Sequence, residues 1–213
     1  MQMTDFSLYL ITDRHQTDGR PLTEVVRRSL EGGVRAVQLR EKDLSGAELY
    51  RLAAELRRLT NDFNARLIIN DRPDLALAAE ADGVHLGVNS LPLAAARRVL
   101  GEGKIIGYSA HSIDEALQAQ GDGADFVSFS PVYPTPSKAA YGAPCGVNKL
   151  ADAAAALNIP VIGLGGISQA NITEALSANI QGIAVISAIL AAADPRVAAA
   201  SLLKKIEAYA QHS

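Results

Sequence analysis

A chain of 213 residues, 48% apolar and 20% charged, has the composition of a globular protein long enough for one substantial core. Its formal net charge of −3, without a visible basic stripe, argues against a general nucleic-acid or membrane-surface binder. A single cysteine, Cys145, excludes an intrachain disulfide framework and suits a reducing compartment.

The first fifteen residues carry Asp5 and Asp13 around a short apolar run, which is not the form of a signal peptide. No apolar stretch approaches the roughly 18 residues needed to span a bilayer. The expectation is a cytoplasmic protein. The first strand is expected near 8–12 (LYLIT), and a helix near 21–31 follows, with Pro21 suiting its first turn and Gly32–Gly33 its stop. A second strand over 34–39 (VRAVQL) leads to a helix near 45–62. That helix opens on SGAE, the spacing of a capping box, and carries Leu49, Leu52, Leu56 and Leu59 as one apolar stripe. Strands near 66–70, 83–86, 105–108, 125–129, 160–163 and 182–186 then alternate with helices near 73–80, 91–100, 112–120, 147–157, 169–178 and 195–211. SIDE (Ser112 to Glu115) has capping-box spacing as well, and Pro195 suits a first helical turn. Strict alternation implies right-handed parallel crossovers. Eight such units in about 210 residues favour a closed (β/α)₈ TIM barrel over an open doubly wound sheet. No linker, charge block or low-complexity tract divides the chain, so a single α/β domain over 1–213 is expected.

In such barrels chemistry gathers at the carboxyl ends of the strands. Counting by two along VQLREK puts Gln38, Arg40 and Lys42 on one face and Val37 and Leu39 on the other. The third strand ends in Asn70–Asp71–Arg72, the fifth in Ser109–Ala110–His111, and the sixth runs into PVYPTPSK, ending at Lys138. Arg40, Lys42 and Lys138 together would make a polyanion site, Arg forking onto phosphate oxygens and Lys acting as a mobile charge. Asp71 suits magnesium, which one or two carboxylates plus substrate phosphates typically satisfy. The competing reading is a salt-bridge network in which acidic neighbours such as Asp71 or Glu41 neutralise the cations. Gly165–Gly166 and the SAIL segment beginning at Ser187 follow the last two strands, where barrels commonly bind phosphate; the alternative is that these glycines serve only the turn. No nucleophile-and-base pair and no zinc-type spacing stand out. Cys145 reads as incidental, His85 as a satisfied core group, His111 as a local hydrogen-bonding residue near a helix start, and His15 and His212 as surface residues.

Taken together, YLITDR, VQLREK, LIINDR, DGVHLG, IIGYSAH, SPVYPTPSK, GLGGI and AVISAI resemble, in order and spacing, the motifs of thiamine phosphate synthases and the related thiazole tautomerases. The resemblance runs from about Leu8 to Ile189 and implies a (β/α)₈ barrel. It further implies a transferase that joins hydroxymethylpyrimidine diphosphate to thiazole phosphate, with magnesium as cofactor and small phosphorylated molecules as partners. By resemblance Gln38 would hold the pyrimidine, Arg40, Lys42 and Lys138 the diphosphate, and Asn70 and Ser109 would touch ligand. Asp71 would be a magnesium ligand. Thr135 and Ser137 would touch the thiazole, and Gly166, Ile186 and Ser187 its phosphate. One departure stands out: where synthases usually carry G-Q-D/E-D after the fourth strand this chain has GVNS, so Ser90 occupies the position of the second acidic metal ligand. A tautomerase would need neither metal nor diphosphate site, but would be expected to carry a histidine where Pro131 stands. The residues leave three readings: synthase, tautomerase, or a barrel that binds thiamine-related phosphates without turnover. They leave the oligomeric state open, a homo-oligomer included.

Overall fold

Each strand of this chain carries apolar residues on both faces, as a parallel sheet covered by helices requires. The computed structural model describes residue 4 and residues 6–135 and 143–211, and over these the eight strands close into a barrel, all parallel and in sequence order. They are β1 (Leu8–Ile11), β2 (Ala36–Leu39), β3 (Arg66–Asn70), β4 (Gly83–Leu86), β5 (Ile105–Ala110), β6 (Phe126–Phe129), β7 (Val161–Leu164) and β8 (Gly182–Val185). Around them lie α1 (Leu22–Glu31), α2 (Gly46–Asp62), α3 (Pro73–Ala78), α4 (Leu93–Leu100), α5 (Ile113–Gly121), α6 (Gly146–Ala156), α7 (Ile172–Leu176), α8 (Ser187–Leu190) and α9 (Pro195–Ala210). The barrel expected from sequence is the barrel observed. Among the described residues no helix is long and apolar enough to cross a membrane.

Two cores follow from the alternation of side chains. Outward residues such as Leu10, Val37, Leu39, Leu67 and Ile69 pack under the helices against Val26, Leu30, Leu56 and Leu202. Inward residues Phe6, Tyr9, Ile11, Ile68, Ile105, Phe126 and Ile162 fill the barrel itself. Register carries the inward set round the sheet: Ile11 lies beside Gln38, Gln38 beside Ile68, Asn70 beside His85, Gly107 beside Phe126, and Ser109 beside Ser128. From β2 to β6 the inward face is therefore apolar at the amino ends of the strands and polar toward their carboxyl ends, while β1 and β7 end inward in Ile11 and Leu164, and β8 leads to Ile186.

Local differences from the sequence reading have local causes. SGAE forms both halves of its capping box, Ser45 accepting from the Glu48 amide while the Glu48 carboxylate accepts from the Ser45 amide. SIDE forms only one half. Ser112 Oγ accepts from the Glu115 amide, but the Glu115 carboxylate accepts from the His111 amide at 2.7 Å instead. α7 starts later than expected because the Ser168 amide donates to the Asn171 side chain at 2.8 Å, holding a turn ahead of it. A 3₁₀ turn over Arg14–Gln16, absent from the sequence reading, is capped by Asp13, whose carboxylate accepts from the His15 amide at 3.1 Å.

Gly107 shows how tightly the barrel is filled. A methyl group there would run into the Phe126 ring and lie 2.6 Å from His85 Nδ1, and both rings are deeply buried. Gly107→Ala is expected to destabilise the fold by about 1–3 kcal/mol through overpacking, read as a lower urea midpoint with unchanged slope. An unchanged midpoint would mean that the interior can yield.

Candidate active site

The polar layer begins at β2. Gln38 is buried, and its Nε2 donates to the Tyr9 hydroxyl at 2.9 Å, which gives a partner to a phenol sealed inside the barrel. Burial pushes the Tyr9 hydroxyl pKa well above its usual value. One inward position further on, Arg40 emerges at the mouth with its backbone amide donating to Thr12 Oγ1 at 2.9 Å. Its guanidinium makes no ion pair or hydrogen bond among the described residues, and neither does the exposed Lys42 ammonium. The acidic neighbour that could have neutralised them is otherwise engaged. Glu41 is buried and turned toward Arg14, accepting from its backbone amide at 3.1 and 3.2 Å and from its guanidinium at 3.2 Å. Arg14 also forks onto Asp43 at 2.5 and 2.6 Å, and His15 Nε2 lies 3.0 Å from the same carboxylate. That pairing holds the Asp43 carboxyl well below its usual range. Among the described residues neither Glu41 nor Asp71 neutralises Arg40 or Lys42; the cation that Glu41 meets is Arg14, from the loop after β1.

From β3 to β6 the layer continues with Asn70, His85, Ser109 and Ser128. Asn70 and Ser109 are partly exposed at the mouth. His85 Nε2 lies 3.1 Å from both Ser109 Oγ and Ser128 Oγ. Burial, aided by the charge of nearby Arg40, pushes its pKa down to about 3, so the ring is neutral. His85 is thus an inward core group, as read from sequence, although its Nδ1 has no partner among the described residues. His111 Nδ1 lies 2.8 Å from the Ser130 carbonyl, the local role expected of it. Cys145 is half-buried, and burial raises its thiol pKa, which disfavours the reactive thiolate.

Asp71 sits just past β3 in the left-handed region (φ 62°), a conformation Asp tolerates better than most residues, and its amide donates to the His85 carbonyl at 2.9 Å. Its exposed carboxylate has no hydrogen bond or ion pair among the described residues, because neighbouring Arg72 is bound to Asp74 at 2.6 and 2.9 Å. Ser90 is engaged within its own loop, where its Oγ accepts from the Gly87 amide at 2.8 Å and closes the turn after β4. Among the described residues no three acidic, histidine or cysteine side chains form a metal cage. The donor set fits a hard cation held by Asp71, water and ligand oxygens, and not one enclosed by protein.

A cavity of about 310 Å³ lies on the other side of the mouth, lined among others by Gln16, Thr135, Gly166, Ser168, Ile186 and Ser187. Four of the residues singled out from sequence (Thr135, Gly166, Ile186 and Ser187) are therefore brought together here. Gly165 and Gly166 have φ of 103° and 68°. Their missing side chains leave room for the segment after β6: a Cβ at 165 would lie 2.8 Å from Pro131, and one at 166 would lie 2.7 Å from Tyr133. The glycines thus wall the cavity by admitting a neighbouring loop, beyond any direct approach to ligand. Gln16 and Ser168 were missed from sequence because nothing in a short polar turn announces a cavity wall. Ser137 and Lys138 lie outside the described residues.

Arg14 is expected to matter through the carboxylate it neutralises. Arg14→Gln should lower the melting temperature by leaving the buried Glu41 without a counter-charge, and adding Glu41→Gln should recover much of the loss. A double variant no more stable than Arg14→Gln would contradict this.

The thiamine monophosphate synthase family model matches residues 8–189. A relative from Geobacter sulfurreducens, provisionally named a thiamine-phosphate synthase, is 59% identical over 95% of both chains. The thiamine-phosphate synthase of Desulfitobacterium hafniense is 45% identical over 93% of this chain and 96% of its own. The solved thiamine phosphate pyrophosphorylase of Pyrococcus furiosus superposes with a TM-score of 0.90 at 38% identity, covering 97% of this chain and 98% of its own. With the match running through every strand of the barrel, the chain belongs to the thiamine monophosphate synthase family.

Proposed function

We propose that this protein joins hydroxymethylpyrimidine diphosphate to thiazole phosphate, forming thiamine phosphate and releasing pyrophosphate. The observation that carries the reading is a barrel mouth with two anion-suited regions: an inward Arg40 whose acidic neighbour is occupied elsewhere, and a separate cavity walled by Gly166 and Ser187. Arg40, Lys42 and Lys138 are assigned to the diphosphate. Gln38, held by Tyr9, orients the pyrimidine, and Asn70 and Ser109 contact the same substrate. Thr135 and Ser137 meet the thiazole, and Gly166, Ile186 and Ser187 its phosphate.

The chemistry asks little of the protein beyond placement and charge. The methylene carbon–oxygen bond breaks and its electron pair leaves with pyrophosphate, while the electron-rich aminopyrimidine supports the positive charge left on carbon. The thiazole nitrogen lone pair then forms the new carbon–nitrogen bond. Arg40 and Lys42 stabilise charge gathering on the leaving group, and the cavity holds the nucleophilic ring in line. No side-chain nucleophile is required, in keeping with the neutral, buried His85 and the protonated Cys145 thiol. Asp71 would hold magnesium, which when bound neutralises part of the diphosphate charge.

Incubation with both substrates across a magnesium titration should release pyrophosphate and thiamine phosphate in equal amounts. Isomerisation of a thiazole precursor without metal, or tight ligand binding without turnover, would overturn the assignment. Lys138→Ala should cut turnover at least about tenfold by removing a cation from the leaving group. Ser90→Asp retains an acceptor for the Gly87 amide while restoring a carboxylate, so it should lower the magnesium concentration giving half-maximal rate; an unchanged requirement would place the metal away from this loop.

A further inference from the structure

His85 is the one buried titratable ring in the polar layer that the chemistry above leaves unused. Its hydrogen-bonding surroundings are lopsided. Nε2 faces two hydroxyl oxygens at 3.1 Å, whereas Nδ1 is buried with no partner among the described residues, packed against bare Gly107. A proton on Nδ1 would be a buried donor with nothing to receive it, while a lone pair there leaves only an unfilled acceptor, the lesser penalty. The neutral ring therefore carries its proton on Nε2 and donates toward Ser109 and Ser128. Ser128 is wholly buried and its hydroxyl donates to Ser109 Oγ at 3.4 Å. Ser109 Oγ thus receives from both neighbours. Its acceptor capacity is used and its own proton is left over, and Ser109 is the partly exposed member of the three.

We propose that His85 is a positioning residue that fixes the Ser109 hydroxyl as a hydrogen-bond donor into the barrel mouth, so that the ligand group meeting Ser109 is an acceptor, a ring nitrogen or a phosphate oxygen, and never an N–H. The kinetic part rests on the synthase reading; the tautomer does not. Protein labelled with ¹⁵N-histidine gives the direct test, the His85 signals being those lost in His85→Gln. The expected spectrum has a protonated Nε2 and a bare Nδ1. A protonated Nδ1 overturns the proposal. In the two-substrate assay His85→Leu should lower kcat/KM roughly 10- to 100-fold, and His85→Gln, whose amide can donate from near the Nε2 position, should recover a substantial part. Equal losses in two variants of equal melting temperature would also overturn it. An inactive wild type would instead sink the synthase reading and leave His85 to be judged by its spectrum.

Discussion

The inward face of this barrel changes character along its axis, and the site depends on that change. β2 points Ala36 and then Gln38 inward before Arg40, β3 points Ile68 then Asn70, β5 points Ile105 then Ser109, and β6 points Phe126 then Ser128. The apolar half is filled by Tyr9, Phe6 and Phe126, packed in edge-on and tilted contacts below the polar layer. Polar groups set on such a floor must either find partners or stay open to the mouth. Tyr9 and Ser128 find partners, and Ser109 both meets His85 and Ser128 and reaches the mouth. Asn70 and Arg40 are partly exposed at the mouth.

Charge is arranged by the same logic. Two carboxylates, Glu41 and Asp43, flank the cations of the β2 loop and could have cancelled them. Arg14 draws both toward the β1 loop, stitching the two loops together and leaving Arg40 and Lys42 uncompensated. Asp71 is left equally bare by the Arg72–Asp74 pair. Lys42 and Asp71 are exposed to water, and Arg40 is half-buried at the rim. Under the proposed synthase reading, a diphosphate would supply the charge that matches the two cations.

Much of this could be read from the residues alone. The strands were legible because each is a short apolar run between helical segments, and the strand-end rule then placed Gln38, Arg40, Asn70, Asp71 and Ser109 at the carboxyl end of the barrel, where they lie. The cavity at Gly166, Ile186 and Ser187 followed from the last two loops in the same way. What stayed hidden depends on long-range pairing. Nothing in DRHQ foretells that Arg14 will meet Glu41 and Asp43, 27 and 29 residues away. The SIDE capping box was half wrong because the Glu115 carboxylate had a nearer amide to accept from. Ser90 stands by resemblance where a second acidic metal ligand is expected, and nothing in the sequence foretold that its Oγ accepts from the Gly87 amide and closes the turn.

The most direct test is a crystal structure of the protein soaked with magnesium pyrophosphate and thiazole phosphate. The expected result is pyrophosphate against Arg40 and Lys42, with the thiazole phosphate seated separately beside Gly166 and Ser187. Both anions sharing one location, or Arg40 turned onto an acidic side chain with the mouth empty, would contradict it.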